Sequence, residues 1–455
     1  MLTDTSTGAG RAMLLHDRYP TLDELADAAH RLAARHPRRC RVRTLGTSRA
    51  GRPLHLLSIG PGADADTRRA PDNVLVVSGA HADEFSGRAG IVELAHRVLA
   101  RPTPAAATAW HFLLCLDPDG AHLAQGGLLA RTLPAYFAGY YRPAADEQPE
   151  WAPAVGGRLP ESRILLDLID ELRPRLQLTL HTADVGGTFL QATADPSART
   201  DPSALAEPFA RSAAALGIPV ETGSFDTYRL PVAGPGVFLM EPHHIDSQEN
   251  TTGMLAPDET PPGARAATWF APRRHGGRTV VVEVPAWTTD RLGDTRPADD
   301  ADPRLRAAAD QLRERGRQLT DLAPALPPHD TPLLRAVRTQ LTALRQLADA
   351  WDPRTAQAPL LPPPLLTRAH LAGIDLWAHR IPVRAAALLR RATPEPDPRL
   401  DELLHTWCAH YRRRFRPPGS PSTARPPTTP TPPKPPPACP DPARPPRPDL
   451  PRPPP

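Results

Sequence analysis

Four side chains suited to binding a metal or moving a proton stand at the ends of three apolar runs. Val74-Leu75-Val76-Val77-Ser78-Gly79-Ala80 leads into His81-Ala82-Asp83-Glu84. Leu176-Gln177-Leu178-Thr179-Leu180 leads into His181-Thr182, and Thr279-Val280-Val281-Val282 into Glu283-Val284-Pro285. Catalytic zinc takes three nitrogen or oxygen ligands, often two His and one carboxylate, and keeps a fourth position open for water. A further carboxylate is then needed as general base. The chain supplies each of these groups once, as the imidazoles of His81 and His181 and the carboxylates of Glu84 and Glu283. A His and a Glu three apart are, by themselves, more often a solvated turn. Three strand ends presenting His, Glu, His and Glu together favour the metal.

The elements that must position these groups are legible from pattern. The short β-branched run before His81 reads as a buried strand, and sites in open α/β sheets gather past the carboxyl ends of strands. A helix follows Glu84, with Ile91, Leu94, Ala95, Val98 and Leu99 on one face. Thr21 and Glu24 form a capping box for a helix reaching about Arg35. Residues 41–46 and 53–59 read as strands flanking the connection Ser48-Arg49-Ala50-Gly51. Residues 64–71 read as polar loop, and 110–116 as a second buried strand ending in the turn Asp117-Pro118-Asp119-Gly120. Residues 162–172 form an amphipathic helix ahead of the His181 strand, and 201–216 a further helix. Asp184 reads as a loop residue rather than a partner of His181. His243 and His244 are adjacent and would point to opposite faces of a strand, so they define no second metal site.

In order and spacing, these words resemble the M14 family of zinc carboxypeptidases, the funnelins, which include succinylglutamate desuccinylase-like amidases. The matching words are His81-x-x-Glu84, Asp117-Pro118-Asp119-Gly120, Leu180-His181-Thr182 and Val282-Glu283-Val284-Pro285. Upstream, Tyr19-Pro20-Thr21-Leu22-Asp23-Glu24-Leu25 and Leu45-Gly46-Thr47-Ser48-Arg49-Ala50-Gly51-Arg52-Pro53-Leu54 look like that family's entry. The resemblance covers roughly residues 19 to 290.

The resemblance implies an α/β fold, a mixed, mostly parallel sheet flanked by helices, with one zinc per chain on His81, Glu84 and His181 and Glu283 as proton acceptor. It also implies an arginine that polarises the scissile carbonyl and another that grips a substrate carboxylate, for which Arg131 and Arg142 stand at suitable distances. A fixed cation stabilises a developing oxyanion, and a guanidinium fork holds a carboxylate bidentately. Three departures from the family's pattern are present, of which the last two concern substrate choice. Asp117 stands where the family more often has Asn, Tyr140-Tyr141-Arg142-Pro143 replaces the usual Asn-Arg pair, and no tyrosine occurs between Leu230 and Val282, where Trp269, Phe270 and His275 lie instead. The expected function is a metallocarboxypeptidase-like hydrolase of a peptide or amide bond. The alternatives are an N-acyl amino acid deacylase of the same fold and a catalytically silent zinc scaffold with a helical interaction module.

The rest of the chain bounds this reading. The formal charge is only +4 over 455 residues and gives no sign of nucleic-acid binding. Cys40, Cys115, Cys408 and Cys439 form no CxxC pair, which argues against a disulfide framework or thiolate metal site. No signal-peptide pattern and no run of 18 apolar residues is present, so a cytoplasmic protein without membrane span is expected. The expected division is an N-terminal arm over 1–18, the zinc peptidase-like domain over 19–295, a C-terminal helical extension over 303–415 and a proline-rich tail over 416–455. The helices are expected at 305–322, 332–351, 365–391 and 400–415, either packed on the sheet domain or independent, with their arginines on solvated faces. The tail's composition cannot bury enough apolar surface to order itself, and its partner is unknown. Deleting residues 416–455 is therefore expected to leave the melting temperature and hydrolysis nearly unchanged; a large fall in melting temperature would show that the tail docks.

Overall fold

The computed structural model describes residues 19–60, 72–101, 108–128, 130, 132–183, 186–193, 201–221, 230–243, 263–286, 290–323, 330–355 and 366–415. Its strands are β1 (Cys40–Thr47), β2 (Pro53–Ile59), β3 (Asn73–Ser78), β4 (Ala109–Leu113), β5 (Leu176–His181), β6 (Phe189–Thr193), β7 (Val232–Gly234), β8 (Val237–Met240) and β9 (Arg278–Glu283). They form one sheet in the order β1-β2-β4-β3-β5-β9-β6-β8-β7. Strands β4, β3, β5 and β9 run parallel at its centre. Antiparallel β1 and β2 close one side, while β6 runs antiparallel to β9 on the other.

The main helices are α1 (Leu22–Arg35), α2 (Phe85–Ala100), α3 (Pro118–Leu123), α4 (Pro160–Leu172), α5 (Ala206–Ala215), α6 (Ala301–Asp321), α7 (Pro332–Trp351), α8 (Arg368–Ala392) and α9 (Pro398–Phe415). The capping box of α1 is formed on both sides, Glu24 N–H to Thr21 Oγ1 at 3.3 Å and Thr21 N–H to Glu24 Oε2 at 2.8 Å. All six residues of β3 are buried, as expected of a parallel strand covered on both faces.

Two glycines bring the chain out of β3 toward the site. Gly79 has φ +62°, and a Cβ there would lie 2.6 Å from Cys115 Sγ. Gly87, in the first turn of α2, would place a Cβ 2.5 Å from the Leu180 carbonyl oxygen. Only residues without side chains let β3 turn beside Cys115 and α2 lie directly against β5. The loop Ala80–Glu84 is thereby pressed onto the end of β5, where His181 emerges.

The C-terminal helices pack on the sheet-bearing part. Helix α8 is buried from Ala369 to Leu389 apart from Asp375 and Trp377. One apolar core joins Ala82, Phe85, Phe137, Tyr140 and Tyr141 to residues of α6 through α9. The expectation of solvated arginines fails at Arg315, Arg380 and Arg384, all of which are buried. For Arg315 and Arg384 the cost of desolvation is met by specific partners: Arg315 lies 5.0 Å over the Trp407 ring and donates to the His379 carbonyl, and Arg384 donates to Asp83. Cys40, Cys115 and Cys408 are buried free thiols. Among the described residues no helix is long and apolar enough to cross a membrane.

Phe137 is fully buried and meets Tyr411 of α9 edge-on, with centroids 6.1 Å apart. Phe137→Ala should cost about 3–5 kcal/mol. Because the core is shared, denaturant unfolding should remain one transition, shifted equally by helical and aromatic signals. A second transition that does not shift would show that the two parts unfold separately.

Candidate metal centre

Strand β5 and the loop after β3 deliver three buried groups to one point. The candidate ligand atoms of His81, Glu84 and His181 all lie within 4.8 Å of one another. Glu84 bridges the two imidazoles, with Oε1 2.7 Å from His81 Nδ1 and Oε2 2.9 Å from His181 Nδ1. The two rings stand nearly perpendicular, with centroids 4.8 Å apart. Thr182 N–H donates to Glu84 Oε2 at 3.1 Å, tying the carboxylate to the strand end that carries His181.

The far side of His181 is held as firmly. Its Nε2 lies 2.9 Å from Glu150 Oε2 and 3.0 Å from Thr179 Oγ1. Glu150 is fully buried and also accepts from Thr179 Oγ1 at 2.6 Å and Trp269 Nε1 at 2.8 Å. A carboxylate on Nε2 keeps the proton there and turns Nδ1 toward Glu84, the arrangement in which a ligand His is oriented by a carboxylate behind it. Neither Glu150 nor Trp269 was legible as a partner of the His181 cluster, because a turn and a short 3-10 helix far from His181 in the chain carry them. Thr179 could have been found, since residues two apart on a strand share a face.

The electrostatics follow from burial set against these neighbours. Burial opposes charge on His181, but Glu150 and Glu84 outweigh it and hold its pKa well above the usual imidazole range. Burial and then the Arg142 cation push His81 below that range, against the pull of Glu84. Burial would raise Glu84, yet the two imidazoles hold it well below the ordinary carboxylate range. Glu150 is likewise lowered, by His181 and Thr179, against its burial.

Arg142 enters the cluster itself. Its Nη1 donates to Glu84 Oε1 at 2.8 Å and Asp83 Oδ1 at 3.2 Å, and its Nη2 lies 3.1 Å from His81 Nδ1. The guanidinium stands in for positive charge at the place where two of the three groups converge. The donor set, two imidazoles and one carboxylate, is that of a catalytic zinc site, and a guanidinium already lies against two of its members, Glu84 and His81. The residues therefore fit a zinc ion.

The remaining expected residues distribute as follows. Glu283 ends β9 and is paired with His181 in the parallel β5–β9 register, so both emerge at the same end of the sheet. Residues in register on neighbouring strands share a face at ~4.8 Å strand spacing. Its carbonyl accepts from Thr188 Oγ1 at 2.6 Å. Arg131, Asp184 and His244 lie outside the described residues, as does the whole 64–71 loop, while His243 is exposed beyond β8. In place of a loop tyrosine, Trp269 reaches the Glu150 cluster, His275 bonds Asp170 at 2.8 Å, and Phe270 is buried against Arg273.

The Asp117-Pro118-Asp119-Gly120 turn is joined to the Ser48–Arg52 hairpin. Asp119 accepts from Ser48 Oγ at 2.7 Å, Ala50 N–H at 2.9 Å and Arg52 Nη1 at 3.0 Å. Asp117 caps α3 through Gly120 N–H at 2.9 Å, while its other oxygen is buried with no hydrogen-bond partner. Burial, with Glu161 and Asp119 adding to it against Gly120 N–H and Arg49, pushes the Asp117 pKa from 3.8 up to about 7. The folded state thus keeps a proton that the unfolded chain releases above about pH 4. Its stabilising contribution is complete below that value and is lost as pH rises toward 7. Asp117→Asn, which keeps the shape and removes the charge, should raise the melting temperature relative to the parent more at pH 8 than at pH 4. A difference constant across that range would contradict the assignment.

Residues 25–135 match the sequence model of a family described as zinc carboxypeptidase. The match includes His81 and Glu84 and ends before Arg142, His181 and Glu283. Among solved structures the chain is similar to carboxypeptidase A from Helicoverpa armigera, at 16% identity and TM-score 0.41 over 60% of this chain and 66% of that one, just under two thirds of its length. It is also similar to a metallo-carboxypeptidase from Burkholderia cenocepacia, at 14% identity and TM-score 0.35 over 59% of this chain and 60% of that one. A third is bovine thrombin-activatable fibrinolysis inhibitor, at 12% identity and TM-score 0.36 over 59% of this chain and 86% of that one. No curated protein matches the sequence.

Proposed function

Proceeding from the zinc carboxypeptidase segment over residues 25–135, we propose that this chain is a zinc-dependent hydrolase of a peptide or amide bond, of the metallocarboxypeptidase kind. The observation that carries the reading is the convergence of His81, Glu84 and His181, all buried, with their ligand atoms within 4.8 Å of one another. In this reading the chain holds one zinc on these three side chains. When bound, the zinc supplies a Lewis acid that polarises water and carbonyl oxygen near neutral pH.

The chain's own groups supply the rest. Glu283, at the strand end beside His181, takes the proton from the attacking water and returns it to the leaving amine. Glu150 and Thr179 fix the His181 ring from behind, so that Nδ1 faces the cluster without further ordering. Arg142 contacts Glu84 and His81 and is proposed to grip a substrate carboxylate through its fork. Arg131 is proposed to steady the oxyanion. A peptide substrate is the first reading. The second reading is an N-acyl amino acid deacylase of the same chemistry, and a panel of C-terminal peptides and N-acyl amino acids separates the two.

Glu283→Gln tests the mechanism apart from the metal. A base is not a ligand, so zinc content should be unchanged. The amide cannot accept a proton at neutral pH, so turnover should fall by ~10²–10⁴. Equal turnover at equal zinc content would remove Glu283 from the mechanism, and absence of turnover by the parent on every amide offered would favour the silent scaffold.

A further inference from the structure

Asp83 lies between two of the candidate ligands in sequence and is almost wholly buried, yet it does not belong to the ligand cluster. Its two oxygens are taken by arginines from different parts of the chain. Oδ1 accepts from Arg142 Nη1 at 3.2 Å, and Oδ2 accepts from Arg384 Nη2 at 3.2 Å. Arg384 belongs to α8 and is separated from Asp83 by 301 residues. The Arg384–Asp83 pair is deeply buried, with side-chain exposures of 4% and 3%.

The same helix grips the other flank of the site. The Arg384 guanidinium lies 4.6 Å from the centroid of the Tyr140 ring. Two turns on, Arg391 donates to the Tyr140 carbonyl at 2.6 Å and the Leu123 carbonyl at 2.8 Å. Tyr140 precedes Arg142 by two residues, so α8 fixes both the His81–Glu84 loop and the segment that carries Arg142. Apolar packing continues the contact, because Ala82, Phe85 and Tyr140 share a core with α8.

We propose that Arg384 is a positioning residue for the metal centre, anchoring the His81–Glu84 loop to the C-terminal helices through Asp83. This inference rests on the zinc reading above. Two physical consequences follow from the geometry. A carboxylate held on both oxygens fixes the backbone between His81 and Glu84, so the two ligands stay aimed at one point. The second arginine also keeps Asp83 from drawing Arg142 wholly to itself: a buried carboxylate that loses one cation must satisfy its charge with the other. The helical extension therefore contributes one charged side chain, through Asp83, to the shape of the site.

The experiment measures zinc affinity, by competition with a chromogenic chelator, for the full chain and for Arg384→Met, Asp83→Asn and the double variant, with far-ultraviolet circular dichroism of each. Met preserves the length and the apolar stacking on Tyr140. Arg384→Met should keep the helical signal and weaken zinc binding roughly 10- to 100-fold, the usual loss when a group orienting a ligand is removed. The double variant should bind no more weakly than the weaker single, because both residues act through one contact. If Arg384→Met fails to fold, Arg384→Lys carries the test: it keeps the charge without the fork and should weaken zinc binding by less than removal of the charge. Zinc affinity equal to the parent in whichever Arg384 variant folds, or losses that add in the double variant, overturns the inference while leaving the zinc reading intact. A parent chain that binds no zinc overturns the zinc reading and this inference with it.

Discussion

Glu84 meets His81 Nδ1 with one oxygen and His181 Nδ1 with the other, and this bridge organises the centre of the molecule. A carboxylate so placed could not remain ionised in a buried setting without cations or donors on every side. The structure supplies them: two imidazoles, the Arg142 guanidinium and the Thr182 amide. The surrounding fold follows from holding that arrangement together. β3 and β5 must be parallel neighbours so that His81 and His181 emerge at one edge, and α2 must begin at once, against β5, so that Glu84 reaches back between them. Gly79 and Gly87 are positions where a side chain would prevent this approach.

The sequence showed the part of this arrangement that is local. Each strand end carries its functional residue next to an apolar run of its own, and the strand period of two makes those runs visible. The capping box at Thr21, the hairpin around Ser48–Gly51 and the ends of β5 and β9 were legible for the same reason. What was not legible depends on contacts across long stretches of chain. Glu150 supports His181 from a loop before α4, and no periodicity marks a carboxylate in such a place. Nor could spacing place Arg142 among the candidate metal ligands: a long side chain on an irregular segment can reach in several directions, and only the packed fold selects one.

The C-terminal helices illustrate the same limit more sharply. Their Ala, Leu and Arg content gave the helical spacing correctly, because amphipathic periodicity belongs to each segment alone. Arginine in such helices ordinarily faces water. Here α8 is covered on nearly all sides, so Arg384 and Arg380 are buried by the helix's position and not by any feature of its own sequence. Arg384 then becomes intelligible only once Asp83 is known to lie opposite it. Burial of a long cation is tolerated where a specific acceptor is present, and that acceptor was encoded 301 residues away.

The central claim is that His81, Glu84 and His181 together hold a single zinc ion. The zinc K-edge absorption spectrum of the metal-loaded chain tests it most directly. The account predicts a shell of nitrogen and oxygen at about 2.0–2.2 Å, with the outer-shell scattering of two imidazoles and no sulfur, at one zinc per chain. A spectrum containing sulfur at about 2.3 Å, or one without imidazole scattering, would contradict it.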